Sequence, residues 1–255
     1  MTPWRFVVIF VASFLAGIVN SVAGGGTLLT FPTLVFLGIN PIVANATNAV
    51  GLWPGSFAGM LGFRRDMVGT KRWVMLLIWP SLAGGALGAI LLLRTPTKVF
   101  SAIAPILVLL ATVLLAVQDP ISRRFGTPGS DHEAPRWTAG AIVGQFFVAL
   151  YGGFFGAGIG IMMLATLGLL GLTDIHRMNG LKNLFAICIN GVAAIYFIVS
   201  GAVLWPEAAV MAVAAVLGGF GGAGIAHRLG RTFVRRVVIA IGIVSSLLLT
   251  VRLLV

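Results

Sequence analysis

Apolar residues come in ten blocks along this chain, each closed by a short polar or glycine-rich interval. Seven blocks approach or exceed the roughly 20 residues that a helix needs to cross hydrocarbon: 4–22, 42–63, 73–93, 99–117, 178–199, 205–226 and 236–254. Three are shorter, at 27–39, 137–151 and 157–172. These predict half-spanning or tilted helices, so the pattern supports eight to ten membrane segments. The expected fold is an all-α, polytopic integral membrane protein. Met1–Ala23 also has the basic, apolar and small-residue zones of a signal peptide. Its counterpart in the second half of the chain marks it instead as part of the fold.

The longest polar interval, QDPISRRFGTPGSDHEAPR at 118–136, reads as a linker, expected in the cytoplasm. It separates a first membrane repeat at 1–117 from a second at 137–255. GGALGAILLLR at 84–94 matches GGFGGAGIAHR at 218–228 at an offset of 134, which holds through TVLLAV and SSLLLTV near the two ends. AGGGT at 23–27 aligns loosely with FGAGI at 155–159, and NATNAV at 45–50 with NGLKNLF at 179–185. Transporters are often built from such internal duplication. Sidedness follows from lysine and arginine, which collect in cytoplasmic loops. Arg64, Arg65, Lys71 and Arg72 share a first-half loop whose equivalent at 200–207 has no basic residue. Arg228, Arg231, Arg235 and Arg236 lie around the next second-half loop, whose equivalent has only Arg94 and Lys98. Equivalent loops therefore prefer opposite sides. Five segments per half invert the second repeat and satisfy both loops, whereas four leave the repeats parallel. Two pseudo-symmetric, inverted repeats with broken helices are the expectation.

The breaks carry the candidate chemistry. Gly24, Gly25 and Gly26 end one block, and Thr27 opens the next. Each glycine costs a helix interior about 1 kcal/mol against alanine. Within a bilayer a helix is interrupted only where the freed backbone groups face protein, water or a ligand. A helix restarting at Thr27 presents unpaired N–H groups and a partial positive charge, the arrangement by which helix N-termini hold anions. Gly156, Gly158 and Gly160 predict the equivalent break in the second half. Asn45, Thr47 and Asn48 lie inside the 42–63 block, the two asparagines on one helix face. Asn179, Lys182 and Asn183 fall near the matching place, with Asn190 seven residues beyond Asn183. The asparagines suit interhelical hydrogen bonds as well as a ligand. Lys182 has two readings, because a cation at the bilayer centre costs about 2.5–3.5 kcal/mol. It either snorkels from a segment end near His176 and Arg177 or partners an anion. Gly84, Gly88, Gly218 and Gly222 have the G-x-x-x-G spacing of close helix packing.

Composition narrows the classes. Of the 255 residues, 59% are hydrophobic and 9% charged, with a mean hydropathy of +1.07, where soluble domains carry about 25% charge. A lipid bilayer is thus an expected partner. Lysine plus arginine total 17 against 6 acidic residues, a net charge of +11. The basic residues are scattered between apolar blocks, which fits loop topology and attraction of a small anionic solute, not nucleic acid. No acidic residue falls in mid-span, which argues against a cation transporter or proton pump. Cys188 alone supports no disulfide framework. Walker A, H-E-x-x-H, G-x-S-x-G and cysteine-cluster motifs are missing from the sequence. GAGIG at 156–160 lacks the strand and full spacing of a dinucleotide loop. No enzyme activity, metal or cofactor is therefore expected. An anion channel and a membrane scaffold or assembly subunit remain as alternatives to a carrier, and nothing in the sequence decides whether copies associate.

With these residues in place, the chain resembles the sulfite exporter TauE/SafE family of bacterial permeases. The likeness rests on the glycine-rich stretch Asn20–Pro41, on ANATNAVGLWPGSFAGMLGFRRD at 44–66 and on RMNGLKNLFAICIN at 177–190. It covers nearly the whole chain, as two halves. The resemblance implies a multi-pass permease of the bacterial inner membrane for sulfur-containing anions such as sulfite or organosulfonates. The site expected between the repeats takes backbone N–H groups from Gly24–Thr27 and Gly156–Gly160. It takes side-chain bonds from Asn45, Thr47, Asn48 and Asn183, and a charge from Lys182.

Overall fold

The computed structural model describes residues 3–22, 25–62, 69–117, 138–169, 172, 174–229 and 231–254. Among them are ten helices and no strand. They are α1 (Pro3–Val22), α2 (Thr27–Phe36), α3 (Pro41–Gly62), α4 (Lys71–Arg94), α5 (Thr97–Ala116), α6 (Thr138–Phe154), α7 (Ile159–Leu169), α8 (Ile175–Val199), α9 (Trp205–Leu229) and α10 (Arg231–Leu254). Every apolar block is a helix. The polar interval at 118–136 and the candidate residue Gly24 lie outside the described residues.

Five helices, α1, α4, α5, α8 and α10, carry windows long and apolar enough to cross a membrane. The chain is a multi-pass membrane protein, and its burial pattern fits lipid as the solvent. Large apolar side chains such as Trp79, Phe147, Val199 and Leu247 point outward, while Asn45, Thr47, Asn48 and Gln145 are buried. The buried polar groups are used between helices. Gln145 of α6 donates to Ser81 Oγ of α4 at 2.8 Å, and Ser81 donates in turn to Leu77 O.

Lipid supplies no hydrophobic drive between helices, so close backbone contact does much of the packing. α4 lies against α6 through Gly84, Gly85, Gly88 and Gly153; a methyl group at Gly88 would strike the Leu150 carbonyl. α1 lies against α9 in the same way, with Gly17 on the Ala215 carbonyl and Gly218 on that of Phe14. Gly84, Gly88 and Gly218 therefore serve as the packing glycines that their spacing predicts. At the centre, α3 crosses α8: Trp53 donates from Nε1 to Ile187 O at 3.2 Å, and its ring fills the space that Gly191 leaves.

Contact order fixes the helix directions. Thr47, Gly51 and Gly55 of α3 face Leu204, just before α9, and Met211 and Ala215 of α9, so these two run parallel. Pro105 and Thr112 of α5 meet Ser246 and Gly242 of α10, so these run antiparallel. α2 turns back into α3 through 37–40, where Gly38 adopts φ +87°. Thr27 of α2 nevertheless bonds Asn48, seven residues into α3. That places the start of α2 about 10 Å below the start of α3. A ten-residue helix spans about 15 Å, half the hydrocarbon thickness. α2 thus has the length of a half-helix.

Candidate functional site

The first break lies between α1 and α2. Gly25 has φ +98°, a conformation that costs an L side chain about 1–2 kcal/mol. Gly26 is helical and is needed for space, since a Cβ there would lie 2.7 Å from both Ala16 O and Asn20 Nδ2. The polar groups around it satisfy one another. Asn20 Oδ1 accepts the Gly26 N–H at 2.8 Å, standing in for a cap. The Thr30 hydroxyl lies within bonding distance of Gly26 O and Asn48 Oδ1 and shares its single proton between them. Asn48 Nδ2 donates to Thr27 Oγ1 at 3.4 Å. Gly25, Gly26, Thr27 and Asn48 are thus brought together as expected, joined by Asn20 and Thr30, which the sequence reading did not select.

The second break, between α6 and α7, is built differently. Gly156 and Gly158 have φ +79° and +76°. The N–H groups of Phe155 and Gly156 both return to Tyr151 O, and the Tyr151 phenol donates to Ala157 O at 2.8 Å. Asn45 reaches in from α3 and donates to Phe154 O at 2.9 Å. Its own Oδ1 is buried with no partner among the described residues, and Asn45 is only 2% exposed. In the first turn of α7, Ile159 N–H reaches Gly156 O at 3.4 Å and Ile161 N–H reaches Gly158 O at 3.0 Å, while the Gly160 N–H has no acceptor among the described residues. Lys182 lies over that turn. A Cβ on Gly160 would sit 3.2 Å from Lys182 Cδ. The ammonium donates to Asn179 Oδ1 at 3.1 Å. A half-buried cation beside a helix N-terminus adds to a positive potential already there, which repels cations and favours an anion.

The remaining candidates are dispersed. Thr47 accepts the Leu204 N–H at 3.1 Å and so caps the approach to α9. Asn183 is half-buried on α8. Asn45, Thr47 and Asn48 each secure a different helix end from one short stretch of α3. Glu207 is buried in the first turn of α9.

Both breaks lean on α5, one turn apart. A Cβ on Gly25 would lie 3.4 Å from Leu115 Cδ2, and one on Gly158 would lie 3.4 Å from Ala111 Cα. Between them stand apolar groups. Phe31 of α2 packs edge-on against Phe155 with ring centres 5.2 Å apart, and against Phe100 at 6.3 Å. The breaks share a supporting helix, and aromatic rings close the space between them.

Comparison with known proteins agrees with this architecture. Residues 9–249 match the family described as Sulfite exporter TauE/SafE. A "Probable membrane transporter protein" of Haemophilus influenzae is 30% identical over 234 residues, covering 91% of this chain and 89% of that protein. "Probable membrane transporter protein YfcA" of Escherichia coli K12 is 30% identical over 253 residues, 96% and 90% of the two chains. "Probable membrane transporter protein ORF9" of a Sinorhizobium species is 29% identical over 254 residues, 96% and 91% of the two. No solved structure matches.

Proposed function

This chain belongs to the sulfite exporter TauE/SafE family and is a membrane transporter, and on that premise we propose that it carries a small, sulfur-containing anion by alternating access at the two helix breaks. The anion is sulfite or an organosulfonate, and the membrane is the bacterial inner membrane. The observation that carries the reading is the first turn of α7, where the Gly160 N–H has no acceptor among the described residues and the stem of Lys182 packs against the same residue. Backbone donors at a helix start and a nearby ammonium are what a tetrahedral or pyramidal oxyanion needs.

Inverted repeats would relate the two breaks to each other. Trp53 and Ile187, 134 positions apart, touch each other, as equivalent residues do beside a two-fold axis. α4 begins at Lys71 and Arg72, and α5 turns back after a two-residue link. Because α10 is antiparallel to α5, its basic start falls on the same side as Lys71. That side is the cytoplasm by the excess of lysine and arginine. In the state seen here, Phe31 and Phe155 part the breaks, so the transport cycle includes their separation.

The test is uptake of labelled sulfite and alkanesulfonates into vesicles containing the purified protein. Lys182→Met should raise the half-saturating concentration about tenfold or more, the worth of one charged hydrogen bond, while Lys182→Arg keeps most of the affinity. Equal affinity in all three proteins removes Lys182 from the site, and absence of saturable anion uptake removes the reading.

A further inference from the structure

A cavity of about 270 Å³ opens between the ends of α2, α5 and α10. Phe31, Asn40, Ser101, Ala104 and Arg252 are among its walls. Arg252 is exposed and spends one N–H on Val35 O at 2.7 Å, which fixes the guanidinium at the rim. Its other donors and the Ser101 hydroxyl make no bond among the described residues. Lys98, exposed one turn before Ser101, adds a second cation to this end of α5. The cavity lies at the ends of α5 and α10 opposite the basic starts of α4 and α10, so it opens away from the cytoplasm.

Phe31 ends the cavity on its inner side. Behind it come Phe100 and Phe155, and Phe155 belongs to the second break. The same path is marked along α5. Ser101, Ala104, Val108 and Ala111 follow one another at three- and four-residue spacing, which places them on one face. The first two line the cavity, and Ala111 stands where a Cβ on Gly158 would come within 3.4 Å of it. Seven residues of helix separate Ala104 from Ala111, about 10 Å.

We propose that this cavity is the outer vestibule for the transported anion, with Arg252 drawing the anion in and Phe31, Phe100 and Phe155 forming a closed gate between the vestibule and the α6–α7 break. The vestibule rests on the anion-carrier reading above, yet its accessibility is measurable without transport.

The experiment is thiol labelling in phosphatidylcholine vesicles, in a Cys188→Ala background. Ser101→Cys is exposed to an anionic sulfonatoethyl and a cationic trimethylammonioethyl methanethiosulfonate, each rate normalised to that of a free thiol. The anionic reagent, applied to the face opposite Lys71, should gain about tenfold over the cationic one. Methanesulfonate should slow the reaction, and Arg252→Gln should abolish the preference. Ala111→Cys should be shielded until Phe31→Ala is added, and then react about tenfold faster; Phe31→Leu replaces the alanine variant if that fails to fold. Lack of charge preference, reaction from the Lys71 face, or a preference that survives Arg252→Gln overturns the vestibule. Protection by phosphatidylglycerol but not by methanesulfonate makes Arg252 a lipid-headgroup contact and overturns it too. Unchanged Ala111→Cys labelling in both Phe31 variants overturns the gate. If labelling follows expectation without saturable sulfite flux, the vestibule stands and the carrier reading falls; flux with failed labelling gives the reverse.

Discussion

The two helix breaks use the same device, glycine at positive φ before a half-helix, but finish it in opposite ways. At the first, Asn20, Thr27, Thr30 and Asn48 spend their hydrogen bonds on one another and on Gly26. At the second, Tyr151 and the distant Asn45 hold the chain, Asn45 Oδ1 has no partner among the described residues, and a cation lies over the first helical turn. A satisfied network rigidifies, whereas an unsatisfied buried group is costly unless something else uses it. The first break reads as a fixed support and the second as the working end.

Among the polar side chains of the two breaks, the substitution that should cost most stability is Asn48→Leu, which removes two contacts worth about 0.6–1.7 kcal/mol each. It should lower the thermal midpoint in detergent by more than the loss of any other polar side chain in either network. Gly25→Ala comes next, at about 1–2 kcal/mol for the positive φ, and Gly158→Ala should match it, since that strain is common to both breaks. Asn45→Leu should cost only about 0.6 kcal/mol, because it removes one bond and one unpartnered acceptor together, yet it should impair anion uptake. Were Asn45→Leu as destabilising as Asn48→Leu, the contrast between the breaks would fail. Gly160→Ala should change stability least, because its new methyl meets only the flexible stem of Lys182 at 3.2 Å. It should still shift the half-saturating anion concentration, by displacing that stem.

Much of the fold was legible as local pattern. Ten apolar blocks became ten helices, and the glycine runs near 25 and 156 became interruptions, since apolar length and glycine strain are properties of a few adjacent residues. What the pattern hid is what depends on distant partners. Asn45 and Asn48 share a helix face, yet one serves Phe154, 109 positions away, and the other serves Thr27 and Thr30. Thr47, one residue from Asn48, turns to the start of α9 instead. Tyr151 gave no signal beyond being one of 2 tyrosines in a greasy chain, and the Phe31–Phe155 contact joins residues with no relation in sequence.

The glycine seams decide what counts as a unit. They join α4 to α6 and α1 to α9, and in each case one partner precedes residue 118 and the other follows residue 137. A fragment ending before the polar interval would bare two furrows shaped for main chain that it does not contain. Cutting the polypeptide there should leave two pieces that are unstable apart and, made together in one cell, recover each other.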